Sequence, residues 1–91
     1  MKPSQKKMLR ARAHALKPVV ITGQAGLTPA ILDEISRALD HHELIKVRVN
    51  ADDRNQRRDI TTRICHELSA ELVQSLGHII TLFRTNPDKP S

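Results

Sequence analysis

Between Lys17 and Ala30 the chain has little conformational choice. Val19-Val20-Ile21-Thr22 is a β-branched run with almost no polar alternation, which suits a strand buried on both faces. Gly23-Gln24-Ala25-Gly26 follows as a loop of form G-x-x-G. Thr28 is a good helix N-cap, and Pro29 suits the first helical position. Strand, loop and helix start therefore succeed one another with no spare residue. Lys17-Pro18 sets the boundary on the other side, since proline disfavours helix for the residue before it. A glycine-framed loop that runs into a helix N-terminus can lay bare backbone against a phosphate. The N–H groups of the first turn are unpaired and the helix dipole is positive there. An ordinary strand-to-helix connection has the same four-residue pattern, and the loop alone does not separate the two readings.

The remaining segments punctuate clearly. From Ser4 to about Ala15 nothing breaks a helix, and Ser4 can cap it. Lys6, Arg10, His14 and Lys17 recur at helical spacing and form a narrow basic stripe. Met8, Leu9, Ala13 and Leu16 supply a thin apolar side. The helix that starts at Pro29 carries Ile31, Ile35, Ala38 and Leu39 as its apolar stripe and fades at His41-His42. Leu27 and Leu32 stand at the spacing of a hydrophobic staple. In Leu44 to Val49, Ile45, Val47 and Val49 alternate with Leu44, Lys46 and Arg48, which is a strand with one face turning basic towards its end. Asn50 to Asp53 reads as a turn, and Asp53 with Gln56 begins a third helix that runs to about Ala70 on Ile60, Ile64 and Leu68. Leu72 to Leu76 and Ile79 to Arg84, joined through Gly77-His78, read as a hairpin. The order predicts an α/β domain, α-β-α-β-α-β-β, with a four-stranded mixed sheet packed by helices and parallel pairing across the helical crossovers. Residues 1–85 make the single domain, and 86–91 a short flexible tail with Pro87 and Pro90.

Composition narrows the function. A chain of 91 residues buries about 60–65% of its unfolded surface, enough for one core and no large internal cavity. Phe83 is its one aromatic residue, so a platform that stacks successive bases on aromatic rings is not on offer. Fifteen Lys and Arg against ten Asp and Glu give a net charge of +5, which points to nucleic acid, an anionic membrane surface or an acidic protein. The one cysteine, Cys65, excludes an internal disulfide and any cysteine-rich zinc site. No apolar run is long enough for a membrane span or a secretory leader, and the expected location is the cytoplasm.

Candidates for catalysis are few. His41 and His42 are adjacent and diverge on a helix, while His14, His66 and His78 fall on other elements, so no metal site is expected. No serine or cysteine has a nucleophile motif around it. Asp33-Glu34 and Asp52-Asp53 fall at helix starts, where dipole and capping account for them. G-x-x-G without a following Lys-Ser or Lys-Thr is not a nucleotide-binding P-loop, and a dinucleotide fingerprint needs three glycines. The expectation is a non-enzymatic protein with no cofactor and no small-molecule substrate. In KH domains a G-x-x-G loop clamps the backbone of single-stranded RNA. The candidate RNA contacts are therefore Gly23, Gln24, Ala25 and Gly26, with Lys6, Arg10, Lys17, Lys46, Arg48 and Arg84 as phosphate contacts of longer reach. Lys17 stands at the end of the first strand far from the loop. The arginines of the third helix, interspersed with Asp52, Asp53 and Asp59, read as a mixed solvated face.

The segment from Leu9 to Val49 closely resembles the CRM domain (chloroplast RNA splicing and ribosome maturation) in its stand-alone, YhbY-like bacterial form. A-H-x-L-K-P-V-V at 13–20, G-x-x-G-L-T at 23–28 and H-E-L-I-K-V at 42–47 carry the resemblance, and V-Q-S-L-G-H-I-I-T-L-F-R at 73–84 is similar to the family's last hairpin. It implies an RNA-binding domain with a sheet similar to the C-terminal domain of translation initiation factor three. It also implies association with precursors of the large ribosomal subunit and ribosomal RNA as partner. Family loops commonly carry Lys or Asn between the glycines, where this chain has Gln24-Ala25, which removes a charge from the loop. The second reading, from a different class, is a basic adaptor that docks on an acidic protein surface without touching RNA.

Overall fold

A computed structural model describes residues 1–23 and 26–86. The elements are α1 (Pro3–Ala13), β1 (Pro18–Thr22), α2 (Pro29–His42), β2 (Leu44–Val49), α3 (Arg54–Leu68), β3 (Glu71–Leu76) and β4 (Ile79–Phe83). They come in the expected order and build the expected four-stranded mixed sheet. Its spatial order is β1-β2-β4-β3. β1 and β2 pair in parallel, and β4 pairs antiparallel with both β2 and β3. The second strand of the hairpin thus enters between β2 and β3, so the two strands flanking α3 are not neighbours.

Strand alternation divides the core in two. Ile45, Val47 and Val49 of β2 join Val20, Ile80 and Leu82 on one face of the sheet, under Ile35 and Leu39 of α2 and Ile64 of α3. Leu44, one residue out of phase, belongs to the other face, where it packs with Val73 and Phe83 against Leu9 and Ala13 of α1. Two helices therefore cover one side and a single short helix part of the other. The uncovered part carries Val19 and Ile21 of β1 and Leu76 of β3, which are 50%, 57% and 69% exposed. Val19 and Ile21 alternate with the buried Val20 and Thr22, so β1 is buried on one face and not on both as the sequence predicts. The reason is that α1 reaches β2 and β3 and leaves β1 open.

Local signals set the starts of α2 and α3, while both ends of α1 are displaced. Thr28 Oγ1 accepts the N–H of Ile31 at 3.2 Å, and Asp53 Oδ1 accepts that of Gln56 at 2.8 Å, both as the sequence predicts. α1 starts earlier than Ser4: Lys2 is its N-cap, Pro3 takes the first helical position, and Gln5 Oε1 reaches back to the Lys2 N–H at 3.2 Å. Proline at that position needs no N–H partner, which favours the earlier start. α1 also ends at Ala13, so Lys17 lies off the basic stripe expected for it. α3 stops at Leu68 because Ser69 turns left-handed, at φ 52°. The expected tail from residue 86 falls mostly outside the described residues. Asn86 is described, and it donates its N–H to Glu43 Oε2 at 2.8 Å and its Nδ2 to the Asp40 carbonyl at 2.9 Å.

Candidate nucleic-acid interface

The G-x-x-G segment leaves the sheet at the edge strand. Gly26 N–H donates to Gly23 O at 3.0 Å and closes the loop on itself. Just before it, Thr22 is fully buried and ties β1 to the end of β2. Its Oγ1 accepts the Asn50 N–H, and its carbonyl accepts Asn50 Nδ2, both at 3.0 Å. Just after it comes the Thr28 cap. The loop is thus anchored on both sides before any ligand arrives. Gln24 and Ala25, the other two candidates in the loop, lie outside the described residues.

The two described glycines have different reasons for being glycine. Gly26 has φ +77°, a conformation that costs a residue with a Cβ about 1–2 kcal/mol. Gly23 is not in that region, and a Cβ built on it meets nothing within 4 Å. The fold would therefore accept a side chain at Gly23. What a side chain there would obstruct is an approach from outside. The start of α2 offers less than the sequence suggests: Pro29 has no N–H, Ile31 is taken by Thr28 Oγ1 and Leu32 bonds to Thr28 O. Ala30 is the first-turn N–H left for an anion.

The other candidates separate into groups. Arg48 stands at the loop end of β2, with Nε 3.3 Å from Asn50 Oδ1, and is exposed. Lys46, two residues back, donates Nζ to the Leu16 carbonyl at 3.1 Å. It lines a hollow of about 170 Å³ on the open sheet face together with Arg10 and His14. Lys17 lies at the far end of β1, as expected, in a separate hollow with Arg12 and His42. Lys6 is on α1, half-buried. Arg84 is not brought to the others. Its guanidinium donates to Leu68 O and Ser36 O, each at 2.9 Å, and to Asp40 Oδ1 at 2.8 Å. It thus bridges α2 and α3 from the end of β4, at the opposite end of the sheet from the loop, where Leu44 pairs with Phe83.

A chain with these features matches a profile of the CRS1 / YhbY (CRM) domain over residues 1–84. The chain belongs to the CRM domain family. It is similar to an RNA-binding protein of Haemophilus influenzae, 46% identical over 84 residues that cover 92% of this chain and 85% of the other. A protein of Pseudomonas aeruginosa named as a probable RNA-binding protein is 42% identical over 87 residues, covering 96% and 83%. The solution structure of a candidate RNA-binding protein of Staphylococcus aureus superposes with a TM-score of 0.85 at 27% identity, covering 99% of this chain and 94% of that one.

Within this CRM domain the arginines of α3, read from sequence as a mixed solvated face, share one concave surface. Arg54, Arg57 and Arg58 line one groove of about 390 Å³ beside the β3–β4 hairpin. Their i, i+3, i+4 spacing puts them on one face of the helix, which is legible in sequence; the hairpin opposite is not. Among the described residues no three of His, Cys, Asp and Glu come together as metal ligands. Burial pushes the Cys65 thiol up from its ordinary range. Among the described residues no helix is long and apolar enough to cross a membrane.

Proposed function

We propose that this protein binds single-stranded RNA through the phosphate backbone, without catalysis, at the sheet end that carries the Gly23–Gly26 loop. The observation that carries the reading is Gly23: a glycine that the fold itself does not require, at the mouth of a pre-anchored loop in a chain of net charge +5. Arg48 supplies charge beside the loop, and Lys46 and Arg10 extend it along the open sheet face. The relatives named for RNA binding support the same ligand. The biological target we propose is ribosomal RNA in precursors of the large subunit, in the cytoplasm, with the protein assisting assembly.

The mechanism follows from what the surface lacks. With Phe83 the one aromatic residue, and packed against α1, affinity rests on charge and backbone N–H groups. Neutralising about four phosphates gives a log–log salt slope near −3 for single-stranded RNA. Titrations of labelled RNA across a salt series measure that slope, and a flat dependence would remove charge from the mechanism. Crosslinking in cells tests the target. Contacts mapped to large-subunit precursor RNA are expected; partners that survive nuclease and no RNA crosslinks would favour the adaptor reading.

A further inference from the structure

The groove between α3 and the hairpin sits at the same end of the sheet as the loop, on the opposite edge. Two links join them. Val49 N–H donates to His78 O at 2.7 Å, and Asn50, next in the chain, is bonded to Thr22. Arg54, Arg57 and Arg58 form one wall of the groove, and Ser75 and Gly77 stand on the other. Gly77 has φ +59°, and a Cβ built there meets nothing within 4 Å, so this wall is open. Arg57 Nη1 lies 3.5 Å from His78 Nδ1 of the hairpin turn.

Among the described residues these arginines are not ion-paired with the nearby acids. Asp53 is spent as the cap of α3, and Asp52, Asp53 and Asp59 are absent from the groove's lining. The ion pairs among the described residues involve Arg37, Arg63, Arg84 and the N-terminus. Three guanidinium groups are thus left together in a concave surface, beside the positive end of a helix. Arginine's planar fork matches phosphate oxygens two at a time, and a concavity of one sign focuses the field on a polyanion.

We propose that this groove is a second phosphate-binding site for the same RNA strand that crosses the Gly23–Gly26 loop. The inference rests on the RNA-binding reading above and adds a path to it. Sheet order places three strand spacings between the two edges, about 14 Å at ~4.8 Å each. At a stacked rise of ~3.4 Å per nucleotide the strand spans that distance with about four nucleotides. Its backbone then runs from the loop past Arg48 and the hairpin to Arg58. Of about four phosphates neutralised in all, the groove takes about two.

The test is a salt series on three proteins with labelled single-stranded RNA: the parent, Gly23→Asp, and the triple variant Arg54→Gln, Arg57→Gln, Arg58→Gln. The triple variant is expected to bind at least about tenfold more weakly and to lower the magnitude of the slope by ~1.4, at ~0.7 per phosphate. Because Arg57 is half-buried, the double variant Arg54→Gln, Arg58→Gln accompanies it. Both of its sites are exposed, and it is expected to move affinity and slope in the same direction. A parent that does not bind RNA sinks the underlying reading. A parent that binds, with Gly23→Asp weakened and both arginine variants unchanged in slope, overturns the groove alone. Loss of an acidic protein partner with the RNA slope intact overturns it too.

Discussion

Gly23→Asp is expected to lower the affinity for single-stranded RNA at least about tenfold, ~1.4 kcal/mol, while leaving the unfolding midpoint where it is. The fold should be indifferent because Gly23 does not use a left-handed conformation and a Cβ there points into open space. The interface should not be, because the variant puts volume and a negative charge where a phosphate would approach. Gly23→Ala separates those two causes. It is expected to weaken binding less and to raise stability by about 0.4–1 kcal/mol, since it narrows the unfolded ensemble without straining the folded one. Gly26→Ala is the contrasting control, with a stability loss of about 1–2 kcal/mol from its positive φ. Fluorescence anisotropy reads the affinity and circular dichroism the unfolding. Parent-like binding by Gly23→Asp would take the loop out of the interface.

Arg84→Ala is expected to do the reverse, costing about 2–3 kcal/mol of stability and leaving RNA affinity within about twofold. The side chain is 19% exposed, and its guanidinium satisfies Leu68 O, the last carbonyl of α3, along with Ser36 O. Helix-end carbonyls have no partner within their own helix, and a cation there also opposes the negative end of the dipole. Truncation leaves the Leu68 carbonyl short of a donor, while Ser36 O, inside α2, keeps its own helical partner and loses a second, charge-assisted one. For a domain of this size the midpoint should fall by roughly 10–20 °C. Asp40→Ala removes the ion pair alone. Asp40 is 62% exposed, so that change should cost about 0.5 kcal/mol. An unchanged midpoint with tenfold weaker RNA binding would make Arg84 a phosphate ligand and end its role as a strut.

What could be read without coordinates was whatever the chemistry of neighbouring residues decides. Thr28-Pro29 and Asp53-x-x-Gln56 state where two helices begin, and the alternation of Ile45, Val47 and Val49 states which face of β2 is buried. Lys17-Pro18 marks the turn into β1. What sequence leaves out lies where a partner distant in the chain decides. Arg84 and Lys46 look like free surface charges until Ser36, Leu68 and Leu16 are seen to supply carbonyls to them. The arginines of α3 look neutralised until the cap role of Asp53 and the placement of the hairpin are known. The insertion of β4 between β2 and β3 has no local signature, and the groove exists because of it. Val19 and Ile21 read as buried because the alternation that would expose them is written in the cover given by α1, not in their own side chains.

The unequal division of the core predicts two units of different stability. α1 buries Leu9 and Ala13 and covers Leu44 and Val73 in turn, and exposing a buried Leu or Val costs about 1.5–3 kcal/mol each. Global unfolding of a domain typically costs about 5–15 kcal/mol. An opening that releases α1 while the sheet, α2 and α3 stay folded is expected to cost less than global unfolding. Native-state hydrogen exchange would show amides of α1 exchanging through a shallow local opening and those of β2 and β4 through global unfolding alone. Equal protection of all three would mean a single unit. While the helix is away, Leu44, Val73 and Phe83 join Val19, Ile21 and Leu76 in one continuous apolar surface, so the exposed area of the sheet is a population average and not a fixed quantity.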